Sequence, residues 1–236
     1  MKDDIVPRLK DAQDTDKFIT SDITPIDSTI SIVATRSEFA PALAELQHIC
    51  YPTLSDEERF SEVQYRKHLE VFPEGQFTAI RDGHPVGGTS TVRMSVTFEQ
   101  MPSHTFYGDI GEGWLTNHDP AGEWLYGADM MVHPEMRKRG ISRQLYAARL
   151  VLVKRLNLRG QIAAGMVAGY HQYADQMPVK AYIERVAAGD LTDPTLTSQL
   201  RIGFRFVMPL LNYIKDPRSG YACALICWDN PDYQPR

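Results

Sequence analysis

The first clear pattern along the chain has a period of two. In residues 29–35, Ile30, Ile32 and Ala34 alternate with Ser31 and Val33, which predicts a first strand with one buried face. The period then changes. Phe39, Leu43, Leu46 and Ile49 recur at helical spacing, with Ser37 as the expected N-cap and Pro41 in the first turn. Tyr51-Pro52 ends that helix. Ser55, with Glu58 three residues on, reads as a capping box that opens a second helix running to Val71. Residues 75–81 are the expected second strand, Asp82-Gly83 a hairpin turn, and residues 86–95 the third strand. Gly87 and Gly88 in that strand predict a bulge or a close backbone approach.

Residues 97–122 are rich in Gly, Pro, His and Asp and read as a long loop, either a lid over a ligand or a surface decoration. Residues 123–132 are the fourth strand. Ile141, Leu145, Ala148, Leu152 and Leu156 then follow at steps of four, three, four and four, one face of a strong helix, with Gly160 as its expected stop. Residues 161–167 form a fifth strand, parallel to the fourth through a right-handed crossover. A polar-aromatic stretch at 169–177 precedes a helix over 178–188 closed by Gly189. Asp193-Pro194 opens another helix, and residues 204–211 and 221–228 are the last two strands. The result is an α/β (α+β) domain with about seven strands over 29–236. Residues 1–28, acidic and without apolar period, predict a mobile or loosely docked arm.

Composition adds limits. The chain has 236 residues, 43% apolar and 23% charged, as in an ordinary globular protein. No apolar run approaches the ~20 residues that span a bilayer, so no membrane role is expected. The first residues lack the apolar core of a secretory signal, and three cysteines are too few for a disulfide framework, so a cytoplasmic location is expected. The histidines lack metal-ligand spacing, and no metal is expected.

Charge changes the picture more. The net charge is −5, yet residues 136–174 contain no Asp or Glu and include Arg137, Lys138, Arg139, Arg143, Arg149, Lys154, Arg155 and Arg159. A basic island in an acidic chain predicts a specific anionic ligand rather than a nucleic-acid surface. The island covers the loop that feeds the strong helix. There the unpaired first-turn N–H groups and the helix dipole form an anion site, and Gly140 lets the backbone approach.

The junction reads Val132-x-Pro134-x-x-Arg137-Lys138-Arg139-Gly140-Ile141-Ser142. Arg137, Gly140 and Ser142 resemble the Arg/Gln-x-x-Gly-x-Gly/Ala signature of the GNAT superfamily of N-acetyltransferases, with Ser142 in place of the usual Gly or Ala. Gly203-Phe204 resembles that family's second landmark. The likeness covers about residues 29–230. A narrower likeness, carried by Gly189-Asp190, Asp193-Pro194, Ser219-Gly220 and Trp228-Asp229-Asn230, is to GNAT domains associated with carbon–nitrogen hydrolases.

The resemblance implies a mostly antiparallel sheet with one parallel pair splayed at an acyl-CoA site, and acetyl-CoA as donor. The pyrophosphate would rest on Arg139, Gly140, Ile141 and Ser142, with charge from Arg137 and Lys138. The main chain of Met130 and Val132 would meet the pantetheine arm. Arg143 and Arg149 are lesser choices for the 3′-phosphate, with surface roles as the default. The acceptor would be a primary amine on a small molecule or an amino terminus. Transfer to it needs a base, for which Asp129 on the fourth strand is preferred, and an acid. The family's Tyr slot, four residues before Gly203, holds Gln199 here, so Tyr182 and Tyr173 become the substitutes. That departure leaves a rival reading, a catalytically silent acyl-CoA-binding module that docks or regulates a partner enzyme. Strands at the C-terminal sheet edge would also allow a homodimer.

Overall fold

A computed structural model describes residues 29–235; the expected N-terminal arm lies outside them. Among the described residues, nine strands form two sheets. The first holds β1 (Ile30–Ala34), β2 (Phe77–Arg81), β3 (His84–Thr89) and β6 (Met131–Val132), in that order and all antiparallel. The second holds β4 (Thr91–Met94), β5 (Trp124–Gly127), β7 (Gly160–Met166), β9 (Cys223–Asp229) and β8 (Arg205–Leu210). Only β5 and β7 run parallel, as the crossover helix between them predicts.

The count rises from seven to nine for one reason. Both expected long strands break at the same level: the third at Ser90, the fourth at residues 128–130. Each contributes its halves to different sheets, so the sheets part there. The candidate site lies in that parting.

Among the described residues, six α-helices cover the sheets. Helices α1 (Ala40–Cys50) and α2 (Glu62–Val71) pack on one face, where Leu43, Leu46 and Tyr65 meet Val92, Tyr126 and Leu225. Helix α4 (Ile141–Arg155) lies on the other face; its stripe of Ile141, Leu145, Ala148 and Leu152 is buried against Ile30, Phe77 and Ala79. Each such buried leucine stabilises the fold by about 1.5–3 kcal/mol. Helices α5 (Val179–Ala188) and α6 (Leu196–Ile202) cover β7 and β9. The remaining short helix, α3 (Phe106–Asp109), belongs to the stretch expected to be a loop. That stretch is no free lid: Met101, Phe106, Ile110 and Leu115 are all buried in the core.

Several local readings need correction. The capping box is at Ser61 and Gln64, not Ser55 and Glu58, and α2 starts correspondingly later. Ser55 instead precedes a single 3-10 turn. Ser37 makes no cap; its hydroxyl accepts from Arg66. Gly160 does not stop α4. The left-handed residue after the helix is Asn157 (φ 48), and Gly160 is small because a Cβ would strike the Trp228 carbonyl of β9. Ile49 is 38% exposed, whereas Gln47 is 1% exposed and takes the inward position.

Asp82 (φ 51) and Gly83 (φ 80) make the hairpin turn as expected. Gly87 lets β6 approach: a Cβ there would lie 2.7 Å from the Met131 carbonyl oxygen. Gly87→Ala is therefore expected to lower stability by about 1–3 kcal/mol through strand displacement, read by thermal unfolding. An unchanged midpoint would mean that β6 has room to move.

Candidate active site

Asp129 sits where the sheets part, and it is 9% exposed. Its Oδ1 accepts the Ser90 N–H across the break. Its Oδ2 accepts from Gln47 Nε2 at 2.8 Å and from the Tyr65 hydroxyl at 2.9 Å. Gln47 Nε2 also donates to the Tyr65 oxygen at 2.7 Å. Burial pushes the Asp129 carboxyl above the ordinary carboxylate range; the Arg149 guanidinium and the bonds from Ser90 and Tyr65 pull it back in part.

Arg149 is the unexpected member. It belongs to α4, where a charge in the sequence suggests the surface, yet it is 1% exposed. Its guanidinium donates to the Thr89 hydroxyl, to the Asp129 carbonyl and to the Ser90 carbonyl (3.2 Å). Thr89 Oγ1 in turn donates to the Asp129 carbonyl at 2.7 Å. One side chain thus ties the broken ends of both strands together. Gly127 provides its room, since a Cβ there would collide with the guanidinium. The Tyr146 ring lies 5.5 Å beneath that group. This placement excludes Arg149 from the 3′-phosphate position considered above.

Next to Asp129 the backbone edge is free of strand partners. Gly88 faces Met131 and the His133 N–H donates to the Val86 carbonyl, so alternate residues of β6 pair with β3. The N–H and C=O of Met130, and the C=O of Val132, point the other way. Side chains from the end of α1 reach them. The Tyr51 hydroxyl donates to the Met130 carbonyl at 2.7 Å and accepts its N–H at 3.2 Å. The Cys50 thiol and Arg137 Nε both donate to the Val132 carbonyl, at 3.4 and 3.3 Å.

Beyond β6 the basic loop turns sharply. Lys138 (φ 63) and Gly140 (φ 77) are both left-handed, and Gly140 is the N-cap of α4. The first bond into the helix runs from the Gln144 N–H to the Gly140 carbonyl, which leaves the preceding first-turn N–H groups outside the helical ladder. Ile141 points into the core and anchors the turn, while Arg137, Lys138 and Arg139 are exposed. A phosphate-bearing ligand fits this loop, and an extended amide arm fits the open edge of Met130 and Val132.

Tyr182 and Tyr173 fall elsewhere. Their rings pack together with centroids 5.1 Å apart, and the buried Tyr182 hydroxyl donates to Asp193 Oδ2 at 3.1 Å. Asp193 Oδ1 also accepts the Thr195 and Leu196 N–H groups ahead of α6, whose N-cap is Thr195 and not Asp193 as expected. Neither tyrosine hydrogen-bonds to Asp129. Gln199, at the family's Tyr slot, donates to the Tyr146 hydroxyl at 2.8 Å. Of the residues that do surround Asp129, the sequence marked Arg149 for another role and did not single out Gln47, Tyr65, Ser90 or, one residue on, Tyr51 as site residues.

The family model described as Acetyltransferase (GNAT) family matches residues 40–168, which include the parted strands, the basic loop and α4. The chain belongs to the GNAT acetyltransferase family. The Probable hydrolase YhcX of Bacillus subtilis (strain 168) is 34% identical over 217 residues, 91% of this chain; the chain spans 41% of that relative's length. The Uncharacterized N-acetyltransferase YkwB of the same organism is 32% identical over 81% of this chain and 85% of its own length. Among solved structures, the loading GNATL domain of CurA from Lyngbya majuscula superimposes with a TM-score of 0.73 at 19% identity, covering 85% of this chain and 98% of that one. The GphF GNAT-like decarboxylase in complex with isobutyryl-CoA gives 0.70 at 20% identity, covering 84% and 98%. These two share the fold. Among the described residues no helix is long and apolar enough to cross a membrane.

Proposed function

We propose that this GNAT protein transfers an acetyl group from acetyl-CoA directly to a primary amine on a small molecule or an amino terminus. One observation carries the reading. A buried carboxylate, an open strand edge and a basic loop opening a helix all meet at the parting of the two sheets. The loop residues Arg137 to Ser142 would hold the pyrophosphate of the donor, and Met130 and Val132 its amide arm. Asp129 would accept the proton that the amine loses. Burial keeps its proton affinity above that of a surface carboxylate, which suits a base. YkwB is named an N-acetyltransferase, and the Arabidopsis thaliana Naa50 structure, in complex with a bisubstrate analogue, shares the fold (TM-score 0.52). Both support an amine acceptor.

A second reading is a silent acyl-CoA-binding module that docks or regulates a partner enzyme. It is favoured by Gln199 at the Tyr slot and by the partial span of YhcX. A panel of primary amines incubated with acetyl-CoA, followed by free-thiol release, separates the two. Turnover with at least one amine is expected; binding of acetyl-CoA without turnover on any amine would favour the silent module.

Gly140→Trp is expected to abolish acetyl-CoA binding by filling the loop, while the left-handed strain lowers stability by only about 1–2 kcal/mol. Calorimetric titration checks it. Unchanged affinity in the folded variant would refute the assignment of the loop.

A further inference from the structure

Acyl transfer also needs a group to hold the charge that builds on the acyl oxygen. We propose that the Tyr51 hydroxyl is this group, acting together with the Met130 N–H; the inference rests on the acyl-transfer reading above.

The geometry is specific. Tyr51 is the last residue of α1's C-terminal turn, and its backbone is fixed on both sides: its N–H donates to Gln47, and its carbonyl accepts from Arg59 at 3.1 Å and from Leu54. Its side chain crosses to the open strand edge beside Asp129. There its oxygen lies 3.2 Å from the Met130 nitrogen. Two donor atoms at that separation can both reach one acceptor oxygen about 2.9 Å from each. In the structure the two groups satisfy one another, and the hydroxyl proton goes to the Met130 carbonyl. An acyl oxygen placed beside the pair would receive the Met130 N–H in place of the Tyr51 oxygen, and the Tyr51 O–H after rotation about its C–O bond, which leaves the Met130 carbonyl and Val132 to the amide arm.

The environment suits a donor that keeps its proton. Burial, Asp129 and the Tyr146 hydroxyl all push Tyr51 above its ordinary value, so it resists ionisation. In the step itself the amine nitrogen bonds to the carbonyl carbon, and the C=O electron pair moves to the oxygen that Tyr51 and Met130 hold. Asp129 takes a proton from nitrogen. The pair returns, the C–S bond breaks, and the thiolate recovers that proton from Asp129. Tyr51 is unchanged at the end. Other aromatic hydroxyls of the core are differently employed: Tyr65 donates to Asp129, Tyr182 to Asp193, and Tyr126 shares a bond with Tyr213, which donates to Asp109.

Tyr51→Phe removes the hydroxyl and keeps the ring. Carbonyl-labelled acetyl-CoA, bound to each protein, is followed by difference infrared spectroscopy. In the wild type the thioester carbonyl band should move to lower frequency than in water, and in Tyr51→Phe it should move back up, with affinity changed less than about twofold. With any accepted amine, kcat should fall about 10²–10³-fold, the range for losing one such donor. The same carbonyl frequency in both proteins would overturn the assignment, since the band reads the bond without any acceptor. Loss of acetyl-CoA binding in the variant would also overturn it and make Tyr51 a strut of the strand. Failure of the wild type to bind acetyl-CoA would instead overturn the acyl-transfer reading itself.

Discussion

Asp129→Asn is expected to reduce kcat/KM about 10²–10⁴-fold with acetyl-CoA and an accepted amine, the range for losing a positioned base. The carboxylate accepts three hydrogen bonds, from Ser90, Gln47 and Tyr65. An amide has one acceptor oxygen. Whichever way Asn is turned, its NH2 faces at least one of those donors, which costs about 1–3 kcal/mol of stability as well. The pH profile separates the two effects. Burial raises the Asp129 carboxyl, so the wild-type rate should climb with pH through a value above the ordinary carboxylate range. In Asp129→Asn that limb should vanish. The sign for stability is opposite. The fold binds this proton more tightly than the unfolded chain does, so the contribution of Asp129 to stability falls as pH rises through the same window. An Asn variant with the wild-type rate and the wild-type acid limb would remove Asp129 from the chemistry.

Arg149→Met should have the largest effect on stability, about 3 kcal/mol or more, because charge-assisted bonds are each worth about 1.5–3 kcal/mol and three converge here. For a chain of this size that is a fall of roughly 6–12 °C in Tm. Lys should not rescue it. All three bonds come from one guanidinium nitrogen, Nη2, and an ammonium is a more strongly hydrated point charge that costs more to bury there. A second effect follows from charge. Arg149 lowers the Asp129 carboxyl against the pull of burial, so the acid limb in Arg149→Met should move further up in pH. A variant that melts within about 2 °C of wild type would show that the strand break holds without this strut.

Much of this fold is legible in residue order. The period-two run at Ile30–Ala34, the Asp82-Gly83 turn and the α4 stripe each depend on neighbours in sequence, and each stands where the pattern puts it. The parting of the sheets does not depend on neighbours. Apolar residues continue through 123–132, so hydropathy reads one strand; what divides it is a set of bonds to Ser90 and Thr89, some forty residues away. Arg149 was misplaced for the same reason. A charge on a helix is read as exposed, and only the carbonyls of two distant breaks explain its burial.

Gln47 and Ile49 show the rule at smaller scale, since the polar residue turns inward because Asp129 and Tyr65 await it. Tyr51 was legible only as a helix terminus. Its hydroxyl acquires a role from the unpaired edge of Met130, which no local pattern reveals. The basic turn and the helix it opens, by contrast, were readable because their signals are contiguous: basic residues, a glycine and a helical stripe.

The central claim is that residues 137–142 and the open edge at Met130 form one site for an acyl-CoA. Isothermal titration of acetyl-CoA into the wild-type protein tests it most directly. Saturable one-to-one binding with a micromolar dissociation constant is expected, weakened by added salt because phosphates meet Arg and Lys. Absence of binding at tens of micromolar acetyl-CoA would contradict it.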